Sequence, residues 1–154
     1  MSSVLNVSVQ GLEELARRLQ AEEENVVNSM TKAHAKAAGE AVYKLKKGLA
    51  QHAGRNRKDP DYKTSPKGSL PYAHSGGLEK SIGMKVLPHG RTVSSEVGSG
   101  AEEKVQAEYA QYLEGENGHQ AKRPFLWYVK DIYNAKKIIE YFHRYYKPLS
   151  GGKR

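Results

Sequence analysis

The sequence contains no cysteine, which excludes disulfides and thiolate metal sites. Long apolar runs are also missing. No stretch approaches the roughly 20 residues that a membrane-spanning helix needs, and the N-terminus lacks the basic flank and apolar run of a secretory signal. The expectation is a soluble protein made in the cytoplasm, with no membrane partner. Phenylalanine (2) and tryptophan (1) are scarce, whereas tyrosine (10) is abundant. Tyrosine offers apolar area with a polar tip, which suits wet interfaces. The hydrophobic fraction of 38% and mean hydropathy of -0.75 are low for a compact monomer. Either an exposed arm or a surface that finishes folding against a partner would explain them. The 154 residues amount to a single domain, 1–154.

Charge is the excess. Twenty-five Lys and Arg against 17 Asp and Glu give +8 and a pI near 9.5, a balance suited to a polyanion or an acidic protein surface. The distribution is uneven. Lys44, Lys46, Lys47, Arg55, Arg57, Lys58, Lys63 and Lys67 are opposed over that span only by Asp59 and Asp61, while Glu13 to Glu24 leans acidic.

Residues 4–9 alternate in the period-two manner of a half-buried strand, ended by Gly11. Leu12, Leu15, Ala16 and Leu19 have helical spacing, and a longer helix is predicted from about Asn25 to Ala50 on the stripe Val26, Met30, Ala33, Ala37, Ala41, Leu45 and Leu49. The alanines make this stripe thin, so a neighbour can approach closely, and Gly39 is the expected point of closest approach. Residues 51–73 form a long basic arm interrupted by Pro60, Pro66 and Pro71. A loop of this length is either a solvated arm or one that orders on a neighbouring subunit or on DNA. Leu78–Leu87 and Arg91–Gly98 read as a hairpin turning at Pro88-His89-Gly90, and Gln106–Leu113 as a third strand. The last helix runs from Leu126 or Trp127 to Tyr146 on the stripe Tyr128, Ile132, Ala135, Ile139, Phe142 and Tyr146, with Pro124 at its start. Residues 148–154 form a flexible basic tail. The fold class is α+β: a small antiparallel sheet of about three to four strands, packed against a long N-terminal helix and a C-terminal helix. No period of about 20 to 50 residues repeats, so the chain is not a solenoid.

Catalytic and cofactor signatures are missing. The six histidines, His34, His52, His74, His89, His119 and His143, sit alone without HxH or HExxH spacing. Gly98-Ser99-Gly100 lacks the later glycine of a dinucleotide turn, and Ser75 lies outside any Gly-x-Ser-x-Gly elbow. An RNA-cleaving toxin would need a clustered acid/base set, and only His143-Arg144 are adjacent candidates. No enzyme, cofactor or metal is expected. A small basic nucleic-acid-binding protein is the alternative class, because Tyr43, Tyr62 and Tyr72 accompany the basic stretch, although no nucleic-acid motif is present.

Several short segments belong together. Val7-Ser8-Val9-Gln10-Gly11-Leu12-Glu13-Glu14-Leu15 precedes an Ala/Lys-rich helix; then come Ser75-Gly76-Gly77-Leu78-Glu79-Lys80-Ser81-Ile82, Val97-Gly98-Ser99, Tyr109-Ala110-Gln111-Tyr112-Leu113-Glu114 and Arg123-Pro124-Phe125-Leu126. In this order they resemble the tail-completion and head-to-tail joining (neck, tail terminator) proteins of long-tailed phages. The chain departs from that family at Gly115-Glu116-Asn117 and at Trp127-Tyr128. The resemblance implies a ring, commonly of six subunits, in the virion at the junction between the tail tube and the head connector or stopper. DNA passes through such a channel, so non-specific contact with it is part of the expectation. The fold and turn residues are Gly76, Gly77, Leu78, Ile82, Tyr109, Glu114, Arg123, Pro124 and Phe125. Arg123 is placed to pair with Glu114 or Glu116, and Arg55, Arg57, Lys58, Lys63 and Lys67 are the expected interface or polyanion contacts.

Overall fold

In the computed structural model, residues 12–51, 70–71, 76–101 and 125–149 are described. Leu12–Ala50 forms one helix, α1, about 58 Å long at 1.5 Å per residue. Good helix formers fill it and proline is absent from it. Glu13 and Glu14 in the first turn and Lys47 in the last oppose the helix macrodipole. The two separate helices expected over 12–50 are thus a single one. Gln20–Glu24 interrupts the apolar period but not the helical propensity, so the backbone runs straight through.

After α1, Gly77–Ser81 makes a short helical turn, α2. Strands β1 (Ile82–His89) and β2 (Thr92–Ser99) follow, paired antiparallel from Ile82↔Ser99 to His89↔Thr92. The hairpin loop is therefore Gly90-Arg91 and not Pro88-His89-Gly90. Gly90 takes φ 57, the positive φ that a two-residue hairpin loop demands at its first position. Among the described residues the sheet has two strands, fewer than the three to four expected; the predicted strands 4–9 and 106–113 lie outside those residues.

The C-terminal helix is divided. Helix α3 (Trp127–Ile132) ends at Tyr133, and α4 (Ala135–Tyr145) begins after Asn134. Asn134 is extended, and its side-chain carbonyl accepts the Lys137 N–H at 3.0 Å, a stronger local option for asparagine than continuing the helix. This two-residue break shifts the helical phase. Tyr141 becomes the buried residue of α4, flanked by Ile138 and Phe142, while the predicted stripe residue Ile139 is 52% exposed.

Two cores form along α1. Ala41, Leu45 and Leu49 meet Leu78, Ile82, Phe125 and Val129 at its C-terminal half. Ala33 and Ala37 receive Tyr141 of α4 further back. Ala38 is also fully buried, because the hairpin covers one flank of α1 and α4 the other. Gly39 is not a point of forced approach: a Cβ there would lie 3.9 Å from the Met84 side chain, an ordinary contact. The tighter glycine is Gly48, whose Cβ would come within 2.9 Å of Leu70 Cδ1.

Candidate functional site

Three of the sequence segments meet at one corner. Gly76 adopts the left-handed conformation, φ 70 and ψ -2, which costs a residue with a Cβ about 1–2 kcal/mol. Its carbonyl accepts the Lys80 N–H at 3.0 Å, closing the turn. Gly77 does not share the positive φ, so of these two turn residues only Gly76 requires a glycine's conformational freedom. Leu78 and Ile82 are both buried, at 1% exposure each. The reason is helical i,i+4 spacing across α2; in the strand expected from Leu78 onward, the period of two would have put them on one face as well. The Ser81 hydroxyl donates to Leu78 O at 2.8 Å and accepts from the Ser99 hydroxyl at 2.8 Å. Gly100 N–H donates to Ser81 O at 3.0 Å, tying the far end of β2 to α2. Phe125, 1% exposed, fills the space between α2 and Leu45 and Leu49. A Cβ on Gly98 would lie 3.6 Å from Leu126. The corner thus joins Gly76–Ile82, Val97–Ser99 and Phe125–Leu126, with Val97 packed against its core.

A second cluster bridges α1, β2 and the α3–α4 break. His34 Nδ1 and the Ser95 hydroxyl are 2.5 Å apart, Ser95 also bonds the Tyr133 hydroxyl, and Tyr133 OH lies 3.4 Å from the same nitrogen. Burial pushes the His34 imidazole below its ordinary pKa. Both hydroxyls can reverse their donor roles, so the cluster accommodates either neutral imidazole tautomer.

Polar contacts also fix α4 and residues 146–149 to α1. The Tyr141 hydroxyl donates to Glu40; this bond holds the Glu40 carboxyl below its usual range and pushes the phenol up to about 12. Lys137 Nζ and the Arg144 guanidinium each lie 5.2 Å from the Tyr141 ring centroid. Nearer the N-terminus of α1, Glu22 accepts from the Tyr146 hydroxyl and from Leu149 N–H, the latter at 3.0 Å. Asn25 donates to Lys147 O at 2.8 Å. Arg91 of the hairpin loop grips Glu23 through two bonds, 2.7 and 3.0 Å. The polar stretch that interrupts the apolar period is where α1 holds both the hairpin tip and the segment beyond α4.

Of the residues singled out in the sequence, Gly76, Gly77, Leu78, Ile82 and Phe125 come together at the corner. Tyr109, Glu114, Arg123 and Pro124 lie outside the described residues, as do Arg55, Arg57, Lys58, Lys63 and Lys67. The Arg123–Glu114 or Arg123–Glu116 pairing and most of the basic arm fall there too. The His34–Ser95–Tyr133 cluster has no sequence signature because its members are far apart in the chain. The Asn134 cap, by contrast, has a local signal, an asparagine ahead of an apolar period. No family model, curated protein or solved structure matches the chain.

Proposed function

We propose that the chain is a structural virion protein of a tailed phage or prophage, a tail-completion or head-to-tail joining subunit that forms a ring at the neck. The observation that carries this reading is the convergence at one corner of Gly76–Ile82, Val97–Ser99 and Phe125–Leu126, segments that in sequence resemble that family's motifs. All three serve to shape and fasten backbone: a left-handed glycine, a serine pair across the end of the hairpin, and a buried phenylalanine beside the start of a helix. No residue is assigned a catalytic, cofactor or metal-binding role in this reading. The protein is made in the host cytoplasm and ends in the virion, between the tail tube and the head connector or stopper.

A closed ring needs a heterologous interface, a different patch on each side of every subunit. The basic arm carrying Arg55, Arg57, Lys58, Lys63 and Lys67 is proposed as one of these patches. The direct test adds the purified chain to phage tails that lack their completion protein. Tails should acquire a terminal ring visible by electron microscopy, and joining to filled heads should be restored. A chain that never associates with tails at any concentration would refute the reading.

A further inference from the structure

We propose that the uncovered face of α1 between Lys32 and Lys47 is a docking surface for the phosphate backbone of duplex DNA. The proposal does not rest on the ring reading. The hairpin covers one flank of α1, with Met84 beside Gly39 and Ser95 bonded to His34. Helix α4 covers the other, with Tyr141 on Ala33, Ala37 and Glu40. Between these flanks Lys32, Lys36, Tyr43 and Lys47 recur at intervals of four, seven and four residues. They fall within about 60° of arc at 3.6 residues per turn. All four are exposed, Tyr43 at 66%, and exposed Lys44 borders them.

The strip has little charge of its own to neutralise it. Glu40 is the only acidic residue of α1 from Lys32 to Ala50, and its carboxylate is turned to the Tyr141 hydroxyl. From α4, Lys137 pairs with Glu140 at 3.4 Å, and Glu40 sits in the combined field of Lys36, Lys44 and Lys137. Thus one straight rod presents cations over about 22 Å at 1.5 Å per residue. A DNA duplex carries one negative charge per about 1.7 Å of axis, so a rigid row of this length meets several phosphates at once.

The chemistry favours duplex DNA over other polyanions. The cations of the strip are lysines, point charges without the fork that reads base edges, so contact is indifferent to sequence. Within the strip the one exposed ring, Tyr43, is too little to stack the run of bases that single-strand binding uses. A second copy of the chain is a poor occupant. Each copy carries +8, and three of the carboxylates near the start of α1 already hold partners within the chain: Glu14 with Arg17 and Arg18, Glu22 with Tyr146, Glu23 with Arg91.

The test uses the full chain and a fluorescent random-sequence duplex of about 30 base pairs, with anisotropy read over a salt series. Binding should be independent of sequence and weaken steeply with salt. The variant Lys32→Gln/Lys36→Gln/Lys44→Gln/Lys47→Gln should lose roughly tenfold or more in affinity at moderate salt, and its slope of log K against log salt should fall in magnitude by about 3 to 4. Its thermal midpoint should match wild type; if it does not, Lys32→Gln/Lys47→Gln replaces it, with a slope change of about 2. Three results would each overturn the proposal: no duplex binding by wild type at low salt, an unchanged slope in the variants, or tighter binding of single-stranded DNA or polyglutamate than of the duplex. An unchanged slope coupled to loss on Arg55→Gln/Arg57→Gln/Lys58→Gln would move the contact to the arm.

Discussion

The Tyr141 hydroxyl donates to the Glu40 carboxylate across the seam between α1 and α4, while the tyrosine ring rests on Ala33 and Ala37. One side chain therefore supplies both the packing and the polar register of α4. Tyr141→Phe keeps the packing and removes the donor; it should cost about 1 kcal/mol in urea unfolding. Tyr141→Ala removes both and should cost about 3–5 kcal/mol.

The same pair has an alkaline signature. The Tyr141 pKa is raised from 10.0 to about 12, chiefly by donation to Glu40. A raised folded-state pKa gives stability that is complete below pH 10 and is lost as pH climbs from there towards 12. Ultraviolet titration should show Tyr141 ionising late, beside Tyr146, whose phenol is also raised by donation to Glu22. In Glu40→Ala the Tyr141 step alone should move down, and the alkaline loss of stability should shrink.

His34 governs the mildly acidic side. Its pKa is lowered from 6.5 by burial, so the unfolded chain binds the proton first and stability falls as pH drops below about 6.5. The groups facing its Nδ1 are the Ser95 and Tyr133 hydroxyls, neither of which carries charge in this range. The carboxyls of Glu22 and Glu40 are lowered from 4.5 by hydrogen bonds from Tyr146 and Tyr141. Their contribution is lost only below about pH 4.5, which among the described residues leaves the window from 6.5 to 5 to His34. Thermal midpoints across that window should decline in wild type and be flatter in His34→Gln.

Two glycines should respond with opposite sign. Gly39→Ala meets only ordinary contact with Met84 and should stabilise by about 0.5–1 kcal/mol through helix propensity. Gly76→Ala must hold φ 70 and should destabilise by about 1–2 kcal/mol. Melting of the two variants beside wild type decides both; a destabilised Gly39→Ala would restore the idea of forced approach there.

The C-terminal half of the long helix is legible in the sequence because its core is local. Ala33, Ala37, Ala41, Leu45 and Leu49 repeat at four-residue steps, and all are buried. Its continuity is not legible, because Gln20–Glu24 offers only Ala21 as an apolar residue, too little to mark a face. What secures that stretch comes from elsewhere, from Arg91 and from residues 146–149. Strand parity puts Leu78 and Ile82 in the core, yet spacing of four serves a helical turn equally well. The apolar period of the last helix implies a single phase, and Asn134 resets it. Of the candidate site, the turn at Gly76 and the burial of Phe125 are visible in glycine and aromatic chemistry. The His34–Ser95–Tyr133 chain is not, since pairing over such separations leaves no periodic trace.

The division at Tyr133-Asn134 also sets how the molecule comes apart. Helix α3 belongs to the core with Phe125 and Leu45, whereas α4 lies on a row of alanines, which bury little area per turn. Tyr133 touches both cores. In hydrogen exchange, the amides of α4 should therefore open at lower free energy than those of β1 and of α1 around Leu45. Replacing Tyr133 by alanine should widen that gap, because the two cooperative units would then share little beyond the shaft of α1.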